Sequence, residues 1–374
     1  MERTDFKKNN TEVIVLKKLD KYIIFQFLSS FFIGTALFIV IAIIFDTKEK
    51  LEDFLGGEAT LYMIITDYYL AFIPYITMLL APLFIYLAVV FTTSRLAMRT
   101  EIIAILNGGV SYYRFLFPFL LATTLLVLSS YTIYHYILPL SNKKRLDFEN
   151  AYIRNPYFNT NRNINIQLNK QSIAYFQSFN TKDTIGYKFV LEKFDSEGKL
   201  MSKLSAPRIK WISKTKSWYL PNYKLRTFSD DKETIKRGAK IDTVLEVKPG
   251  DFGRKTDLLE NLTTPELELY IEEAIAKGSE LVPAYQVSLY ERSAKAFVIY
   301  LLVLIGVSMS SRKSRGGTGK HIVLGILIAV GYFFLSRVTI MYSMKAGLNP
   351  MLGAWLPNII YFIIAMITLR FAPK

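Results

Sequence analysis

The stretch AWLPNIIYFIIAMITLR, residues 354–370, carries a single charged side chain, Arg370, at its last position. The apolar run before it, residues 322–344, also contains one charge, Arg337. The hydrocarbon core of a bilayer is about 30 Å thick, so a helix needs about 20 apolar residues to cross it. Both runs are close to that length, and comparable runs lie near the start of the chain. The sequence therefore predicts a membrane protein.

The composition supports this class of protein and argues against several others. Of the 374 residues, 51% are hydrophobic, and the mean hydropathy is +0.25. The formal net charge of +15 lies largely beside the apolar runs, where lysine and arginine orient membrane proteins, so nucleic acid is not an expected partner. The absence of cysteine excludes thiolate chemistry, and two histidines argue against a histidine-rich metal site or a Ser–His–Asp site.

Six apolar runs predict six transmembrane helices, at residues 22–45, 69–91, 115–138, 294–310, 322–344 and 352–369. The first run is too long for the apolar part of a signal peptide, so we expect a retained helix. Pro74, Pro82, Pro118 and Pro357 lie inside or at the ends of these runs. Such prolines are tolerated because neighbouring helices can donate to the carbonyls that they leave free.

The cations between the runs predict the orientation. With six spans, four lysine- and arginine-rich segments fall on one side: the two chain ends and the segments after the second and fourth spans. Such segments favour the cytoplasm, so we expect an inner-membrane protein with cytoplasmic termini and a periplasmic polar region. Three parts follow: a transmembrane half at 1–140, a periplasmic domain at 141–280 and a second transmembrane half at 281–374.

The long polar region alternates apolar and polar residues with a period of two, which is typical of strands. The alternation is clearest at residues 164–168, 173–179, 187–191, 209–212, 218–228 and 241–247. Short strands at this spacing predict an antiparallel β sandwich, jelly roll or open barrel. Thr263 to Glu266, with Pro265 in the first turn, then predict a helix that leads back to the membrane.

The segment between the second and third spans, residues 94–114, is a candidate interaction site. Arg99 and Glu101 precede an apolar run that includes Ala104 and ends at Gly108. This pattern predicts a short amphipathic helix on the cytoplasmic face, with glycine at its end. Two interpretations remain open: the helix only connects two spans, or it docks into the groove of a partner.

A second candidate site is a ring of cations at the outer ends of the spans. Arg337 lies inside the fifth run, where a charge is costly unless it faces a partner or a wet cavity. Five further cations are expected at a similar height: Lys48, Lys50, Lys143, Lys144 and Arg145. Together they would suit phosphate groups. The alternative is that each is an interfacial anchor whose side chain snorkels to the headgroups.

The loop before the fifth run contains several glycines but predicts no nucleotide site. Residues 315–321 read RGGTGKH, whereas a phosphate-binding loop needs a glycine five residues before the last one and Ser or Thr after the lysine. A flexible basic turn fits this stretch better. We therefore expect neither ATP binding nor catalysis nor a metal site in this chain.

The whole layout resembles the LptF/LptG (YjgP/YjgQ) family of lipopolysaccharide export permeases. Residues 19–23 (LDKYI) are similar to the family's start, and 99–104 (RTEIIA) with Gly108 resemble its coupling helix. Residues 285–292 with 306–307 resemble the fourth span, and 354–358 (AWLPN) the sixth. The opening residues lean towards the LptG side of the family.

This resemblance implies a permease subunit that pairs with a second LptF/LptG-type permease. Two copies of a cytoplasmic ABC ATPase would bind ATP and magnesium and engage the chain at Arg99, Glu101, Ala104 and Gly108, with Glu101 as the coupling carboxylate. Lipopolysaccharide would leave the inner membrane and pass through periplasmic jelly-roll domains to a bridge protein. Lys48, Lys50 and Arg337 would be candidate head-group contacts.

Two other classes of function remain as alternatives. A secondary transporter driven by an ion gradient would show internal repeats with broken helices and acidic residues within the spans. The sequence shows no clear repeat, and we expect no buried Asp or Glu in the spans. A membrane-anchored β scaffold that only recruits proteins would not need six spans.

Overall fold

A computed structural model describes residues 17–372 of the chain. The description has gaps at residues 57–58, 154–161, 170, 182, 230–231, 246, 248, 253–258, 277–278, 280 and 313–316. The N-terminal cations before Lys17 and the start of the glycine-containing loop, residues 315–316, therefore lie outside the described residues. All structural statements below refer to the described part of the chain.

Six helices are long and apolar enough to cross a membrane, which confirms the predicted number of spans. In order, these spans are Lys18–Glu49, Leu61–Met98, Tyr112–Tyr152, Val282–Ser310, Gly319–Lys345 and Pro350–Arg370. Because the chain crosses six times, both ends lie on one side, here termed the terminal side. The β domain is inserted after the third span and lies on the opposite side, termed the β-domain side.

The third span is longer than its apolar run predicts. The helix continues from Leu138 through a polar stretch to Tyr152, so Lys143 and Arg145 are helical residues instead of part of a loop. Lysine, arginine, leucine and glutamate are good helix formers, which explains why the helix persists after the hydrophobicity ends. Two short segments of wider π-helix, Ile64–Tyr69 and Ile133–Ile137, interrupt the second and third spans.

Neighbouring spans supply the hydrogen bonds that two prolines remove. Pro82 has no N–H for the carbonyl of Met78, and the Tyr134 hydroxyl of the third span donates to that oxygen at 2.6 Å. Pro357 likewise frees the carbonyl of Gly353, which accepts from Thr339 Oγ1 at 2.7 Å. Such replacement is required where no water can serve as donor. The expectation that neighbouring helices satisfy these carbonyls is confirmed at both positions.

The AWLPN stretch links three spans through one side chain. Asn358 is buried and donates from Nδ2 to the carbonyl of Ala294 in the fourth span at 3.0 Å. Its Oδ1 accepts from the hydroxyl of Tyr332 in the fifth span, also at 3.0 Å. Both ends of the amide are therefore satisfied, and the fourth, fifth and sixth spans share one polar contact.

The fourth span is the centre of the bundle. It packs against the second, third, fifth and sixth spans, and 67% of its most apolar window is buried. Two glycines allow the second span to approach the backbones of the fourth and fifth spans closely. A Cβ atom on Gly306 would lie 2.5 Å from Val89 Cγ1, and one on Gly325 would lie 2.6 Å from Tyr86 Cε1. The first and fifth spans are much more exposed, with 17% and 22% of their windows buried.

The inserted domain is one antiparallel sheet of seven strands. The strands are β1 Ile164–Asn169, β2 Ser172–Phe176, β3 Ser178–Asn180, β4 Ile185–Phe194, β5 Leu200–Ile212, β6 Ser217–Ser229 and β7 Lys232–Thr243. Neighbours pair in the order β1-β2-β4-β5-β6-β7, with β3 also on β4. Alternate residues such as Phe176, Phe189, Trp218 and Leu220 form its core. The predicted antiparallel β domain between the third and fourth spans is confirmed.

Two strand predictions are wrong in detail. The run 173–179 is divided into β2 and β3, and the last strand spans Lys232–Thr243 instead of residues 241–247. Most of β7 is polar and exposed on both faces, so it has no alternation for a periodicity argument to detect. Val247 follows the strand instead of belonging to it; it enters the core, and its carbonyl accepts from Trp218 Nε1 at 2.9 Å.

A helix joins the β domain to the fourth span, as the sequence predicts. It runs from Thr264 to Ala276 and buries an apolar face against the start of the fourth span. Thr263 precedes it, and both its N–H and its hydroxyl donate to Glu266 Oε2, at 2.8 and 2.7 Å. The hydroxyl bond and then the backbone bond lower the pKa of the Glu266 carboxyl below its ordinary value. The Glu266 side chain thus accepts from the N-cap residue, which is one half of a capping box and marks where the helix begins.

We predict that Tyr134→Phe destabilises the bundle, because the carbonyl of Met78 then has no donor in hydrocarbon. A buried group left unsatisfied costs about 1–3 kcal/mol. Thermal unfolding of the purified protein in detergent measures the effect. Tyr136→Phe is the matched control, since Tyr136 is on the same helix with its side chain exposed. Equal melting temperatures for the two variants would contradict the role assigned to the Tyr134 hydroxyl.

Candidate functional site

The segment between the second and third spans forms the short helix that its sequence predicts. The helix spans Glu101–Asn107 and ends at Gly108. Thr100 before it has a φ of 60°, and Gly109 after it has a φ of +82°, so a left-handed residue bounds each side and turns the chain sharply. We term Glu101–Asn107 the connecting helix.

The connecting helix has one buried face and one free face. Ile102 is buried in the core of the spans, with Ile105 and Leu106 packed beside it. Ile103, Ala104, Asn107 and Gly108 are exposed on the terminal side. The helix is thus held firmly by the bundle while it presents a small, largely uncharged surface outward. That arrangement suits contact with another protein.

Glu101 is tied to the first span. Its Oε2 accepts from the hydroxyl of Tyr22 at 3.1 Å, and Arg99 Nη1 lies 3.8 Å from its Oε1. Arg99 and Glu101 remain partly exposed, so solvent weakens their ion pair. The structure therefore brings together the two charged residues that the sequence singled out, and adds Tyr22 to them.

A half-buried ion pair holds the first span beside the start of the third span, close to the connecting helix. Arg114, at the start of the third span, donates from Nη1 and Nη2 to both oxygens of Asp20 at 2.7 and 2.6 Å. Asp20 is 2% exposed and also accepts from the N–H of Lys17 at 2.9 Å. Bidentate geometry of this kind fixes the orientation of both partners. Arg114 lies in one of the cation-rich segments that predict the orientation, but its pairing with Asp20 was not predicted.

The predicted spans contain no Asp or Glu, but the helices extend beyond them and bury two acids at their ends. Asp20 and Glu149 are both buried, and each is bonded to an arginine. The helices extend past their apolar runs, so these acids were assigned to loops by hydropathy alone. Both lie near the end of a span, and their pairing with Arg114 and Arg145 makes them structural contacts.

Two of the six cations predicted to form the ring, Lys50 and Arg145, are paired with acidic side chains of this chain. Lys50 Nζ contacts Asp46 Oδ1 at 2.8 Å and also bonds the hydroxyl of the buried Tyr68. Arg145 Nη1 bonds Glu149 Oε1 at 3.0 Å. Both ion pairs lie within a single helix at the β-domain side, and the contact with Tyr68 connects the first span to the second.

Arg145 also has its guanidinium carbon 4.0 Å from the centre of the Tyr75 ring. This cation–π contact places the guanidinium against the second span. The charge of Arg145 is therefore balanced by Glu149 and covered by an aromatic ring, so it is not directed to solvent.

The other four ring cations are exposed, and one of them lines a cavity. Lys48, Lys143 and Lys144 project from helix surfaces. Arg337 is exposed on the fifth span and borders a cavity of about 270 Å³. The structure thus does not bring the six cations to one site; it places Arg337 alone at the cavity wall.

The cavity lies at the β-domain side between the second, third, fourth and fifth spans. Its wall combines aromatic and apolar residues with five charged ones: Glu260, Glu291, Arg292, Lys295 and Arg337. Lys295 and Glu291 form an ion pair at 2.7 Å. Asn142 also lines the wall; it is 3% exposed, and its Oδ1 has no hydrogen-bond partner among the described residues. A cavity with this lining can hold a polar, anionic group beside apolar surface.

Sequence reasoning missed most of this cavity. Glu291, Arg292 and Lys295 lie at the β-domain end of the fourth span, where the helix begins before its apolar run. The signal that could have found them is their spacing, because positions 288, 291, 292 and 295 fall on one face of a helix.

These elements define a class of protein: a multi-pass membrane permease with an inserted β domain and a connecting helix exposed between two spans. One known family matches nearly the whole chain. The family described as lipopolysaccharide export system permease LptF/LptG matches residues 21–370, so the chain belongs to this family and the resemblance noted above is confirmed. The chain is thus a transport subunit of lipopolysaccharide export. No curated protein matches it.

We predict different consequences for two neighbouring lysines. Lys50→Gln leaves Asp46 without its ion pair and lowers the free energy of unfolding by about 1–3 kcal/mol. Lys48→Gln alters an exposed side chain and changes that free energy by less than about 0.5 kcal/mol. Chemical or thermal unfolding in detergent separates the two variants. Equal losses would contradict the structural role given to Lys50.

Proposed function

We propose that this chain is one of two permease subunits in an ABC-type exporter that extracts lipopolysaccharide from the bacterial inner membrane. Family membership over residues 21–370 carries the proposal. The terminal side is cytoplasmic, because cations such as Lys18, Arg95 and Arg114 cluster there. The β domain is then periplasmic and passes the lipid onward to a bridge protein with a similar β domain.

The energy for transport comes from a partner. The chain has no phosphate-binding loop, so a cytoplasmic ATPase dimer binds ATP and magnesium. The connecting helix is its docking site: Ala104 and Gly108 offer a close approach, and Arg99 with Glu101 supply charges for recognition. Buried packing of Ile102 against the spans supports this role, because a rigidly held helix can transmit movement to the bundle.

The first span is the element best placed to respond to that movement. Its terminal end is bound to the connecting helix through Tyr22–Glu101 and to the third span through Asp20–Arg114, while its middle exposes apolar side chains. Displacement of the connecting helix would therefore shift this span more easily than the buried fourth span. Its exposed face and that of the fifth span are where the second permease and the acyl chains would lie.

Arg337 and the cavity serve the head group of the substrate. A cavity of about 270 Å³ is much smaller than a whole glycolipid, so it receives one part of the head group, and the acyl chains stay along the exposed spans. Lys48, Lys143 and Lys144 are candidate contacts for further anionic groups at the membrane surface. Lys50 and Arg145 contribute through helix packing, because they contact Tyr68 and Tyr75 of the second span.

The decisive test is purification of the tagged chain in mild detergent. We expect a Walker-motif ATPase and a second permease of the same family to co-elute, and the reconstituted complex to release lipopolysaccharide only when ATP is hydrolysed. Elution without either companion would refute the proposed assembly.

Charge reversal at Glu101 tests the docking site within that complex. We predict that Glu101→Arg lowers ATP-dependent release about tenfold, corresponding to about 1.4 kcal/mol of lost interaction. Glu272→Arg makes the same charge change on the exposed face of the helix after the β domain and should leave release intact. Normal release with Glu101→Arg would exclude this carboxylate from coupling.

Neutralising Arg337 tests the substrate site. Loss of one charge-assisted hydrogen bond costs about 1.5–3 kcal/mol, so Arg337→Gln should lower the lipopolysaccharide that co-purifies with the complex by at least about tenfold. Lys345→Gln, at the exposed end of the same span, serves as the control. Retention of the full amount of lipid by Arg337→Gln would place the head group elsewhere.

A further inference from the structure

A buried guanidinium of the fourth span binds the chain segment that precedes the helix Thr264–Ala276. Arg292 donates from Nη2 to the carbonyls of Leu259 and Leu262 at 3.1 and 2.8 Å. Its Nη1 donates to Thr264 Oγ1 at 3.0 Å, and the residue is 8% exposed. We term residues 259–264 the linker. A single side chain thus contacts both ends and the middle of the linker.

A histidine in the third span holds the same linker residue. Thr264 Oγ1 lies 2.8 Å from Nδ1 of His135, whose Nε2 lies 3.2 Å from Ser293 Oγ. Because a guanidinium can only donate, the Thr264 hydroxyl accepts from Arg292 and is free to donate to Nδ1. Nε2–H then donates to Ser293. Thr264 is therefore bound by the third and fourth spans together.

His135 is itself firmly placed. It is 4% exposed, lies in the π-helical segment Ile133–Ile137 and stacks on Tyr131 with the ring centres 4.0 Å apart. A π-helical turn shifts the side chains that follow it relative to a regular helix, and such turns are frequent at functional sites. Here the turn directs His135 to the linker.

The linker and Arg292 are also part of the cavity wall. Leu259, Glu260 and Arg292 all line the cavity, together with Lys295 one turn further along the same helix. A group that enters the cavity therefore lies against the residues that attach the β domain to the membrane part.

We propose that Arg292 is a positioning residue that fixes the β domain relative to the spans and links its placement to the cavity. Burial of a guanidinium is costly unless its donors are satisfied, and here linker oxygens accept three of its hydrogen bonds. Lysine offers a point charge on a flexible stem and cannot reproduce the planar array of donors. The substrate in the cavity is taken from the proposed function, whereas the attachment itself does not depend on it.

Distance measurements on the full chain test the attachment. The chain lacks cysteine, so spin labels can be placed specifically at Glu49→Cys on the first span and Glu197→Cys in a β-domain turn. When the chain carries only these two labels, we expect a narrow distribution of the distance between them. Arg292→Gln and Thr264→Val should both broaden it, and Arg292→Lys should give an intermediate width.

Lys295→Gln is the matched control, because Lys295 is a cation in the same cavity wall whose ion pair is to Glu291 instead of the linker. Its distribution should stay narrow. Unchanged widths in both Arg292→Gln and Thr264→Val would overturn the proposal, as would equal broadening by Lys295→Gln. Thr264→Val keeps every charge of the cavity, so it separates attachment from contact with substrate and provides a second variant if Arg292→Gln folds poorly.

Transport by the reconstituted complex provides the second readout. With purified lipopolysaccharide as the probe, we expect Arg292→Gln and Thr264→Val to hydrolyse ATP normally but to release about fivefold less lipid per ATP, a change of about 1 kcal/mol in coupling. If the lipid released per ATP is unchanged while the distance distribution is broadened, the proposed link between β-domain placement and the cavity is overturned. Absence of lipid release in the unmodified complex would instead refute the proposed function, and the distance measurement would still decide the attachment.

Discussion

Hydrocarbon offers no hydrogen-bond donors or acceptors, and the bundle depends on satisfying its own polar groups. The carbonyls freed by Pro82 and Pro357 accept from Tyr134 and Thr339 on neighbouring spans. Asn358 likewise has both ends of its side-chain amide satisfied, by hydrogen bonds that connect three helices. These bonds have direction as well as strength, so they fix which faces of the helices meet and thereby where the cavity forms.

Charged side chains at the helix ends are likewise satisfied by partners within the protein. Asp20, Asp46 and Glu149 each meet a cation at a helix end, and a buried charge without such a partner would cost several kcal/mol. A hydropathy profile does not distinguish among the cations near the membrane. The structure divides them into two groups. One group holds helices together, and the other, which includes Arg337, is exposed.

The sequence predicts the spans, the inserted antiparallel domain and the connecting helix, because each has a strong local signal: length of an apolar run, period-two alternation or a glycine at a helix end. It fails where structure depends on residues far apart in the chain. β7 is polar on both faces and is defined only by its pairing with β6. Asp20 and Arg114 are 94 positions apart, and Arg292 meets its acceptors about 30 positions away, so no local pattern reveals either contact.

Gly306 and Gly325 have a consequence for how the protein can change shape. The side chains of Val89 and Tyr86 in the second span lie directly against the backbones of the fourth and fifth spans at Gly306 and Gly325, where those spans have no side chain that could change rotamer to absorb sliding. Close-packed contacts of this kind resist gradual deformation. The three helices therefore form a stationary block, and any opening of the bundle must take place by motion of the remaining elements around it.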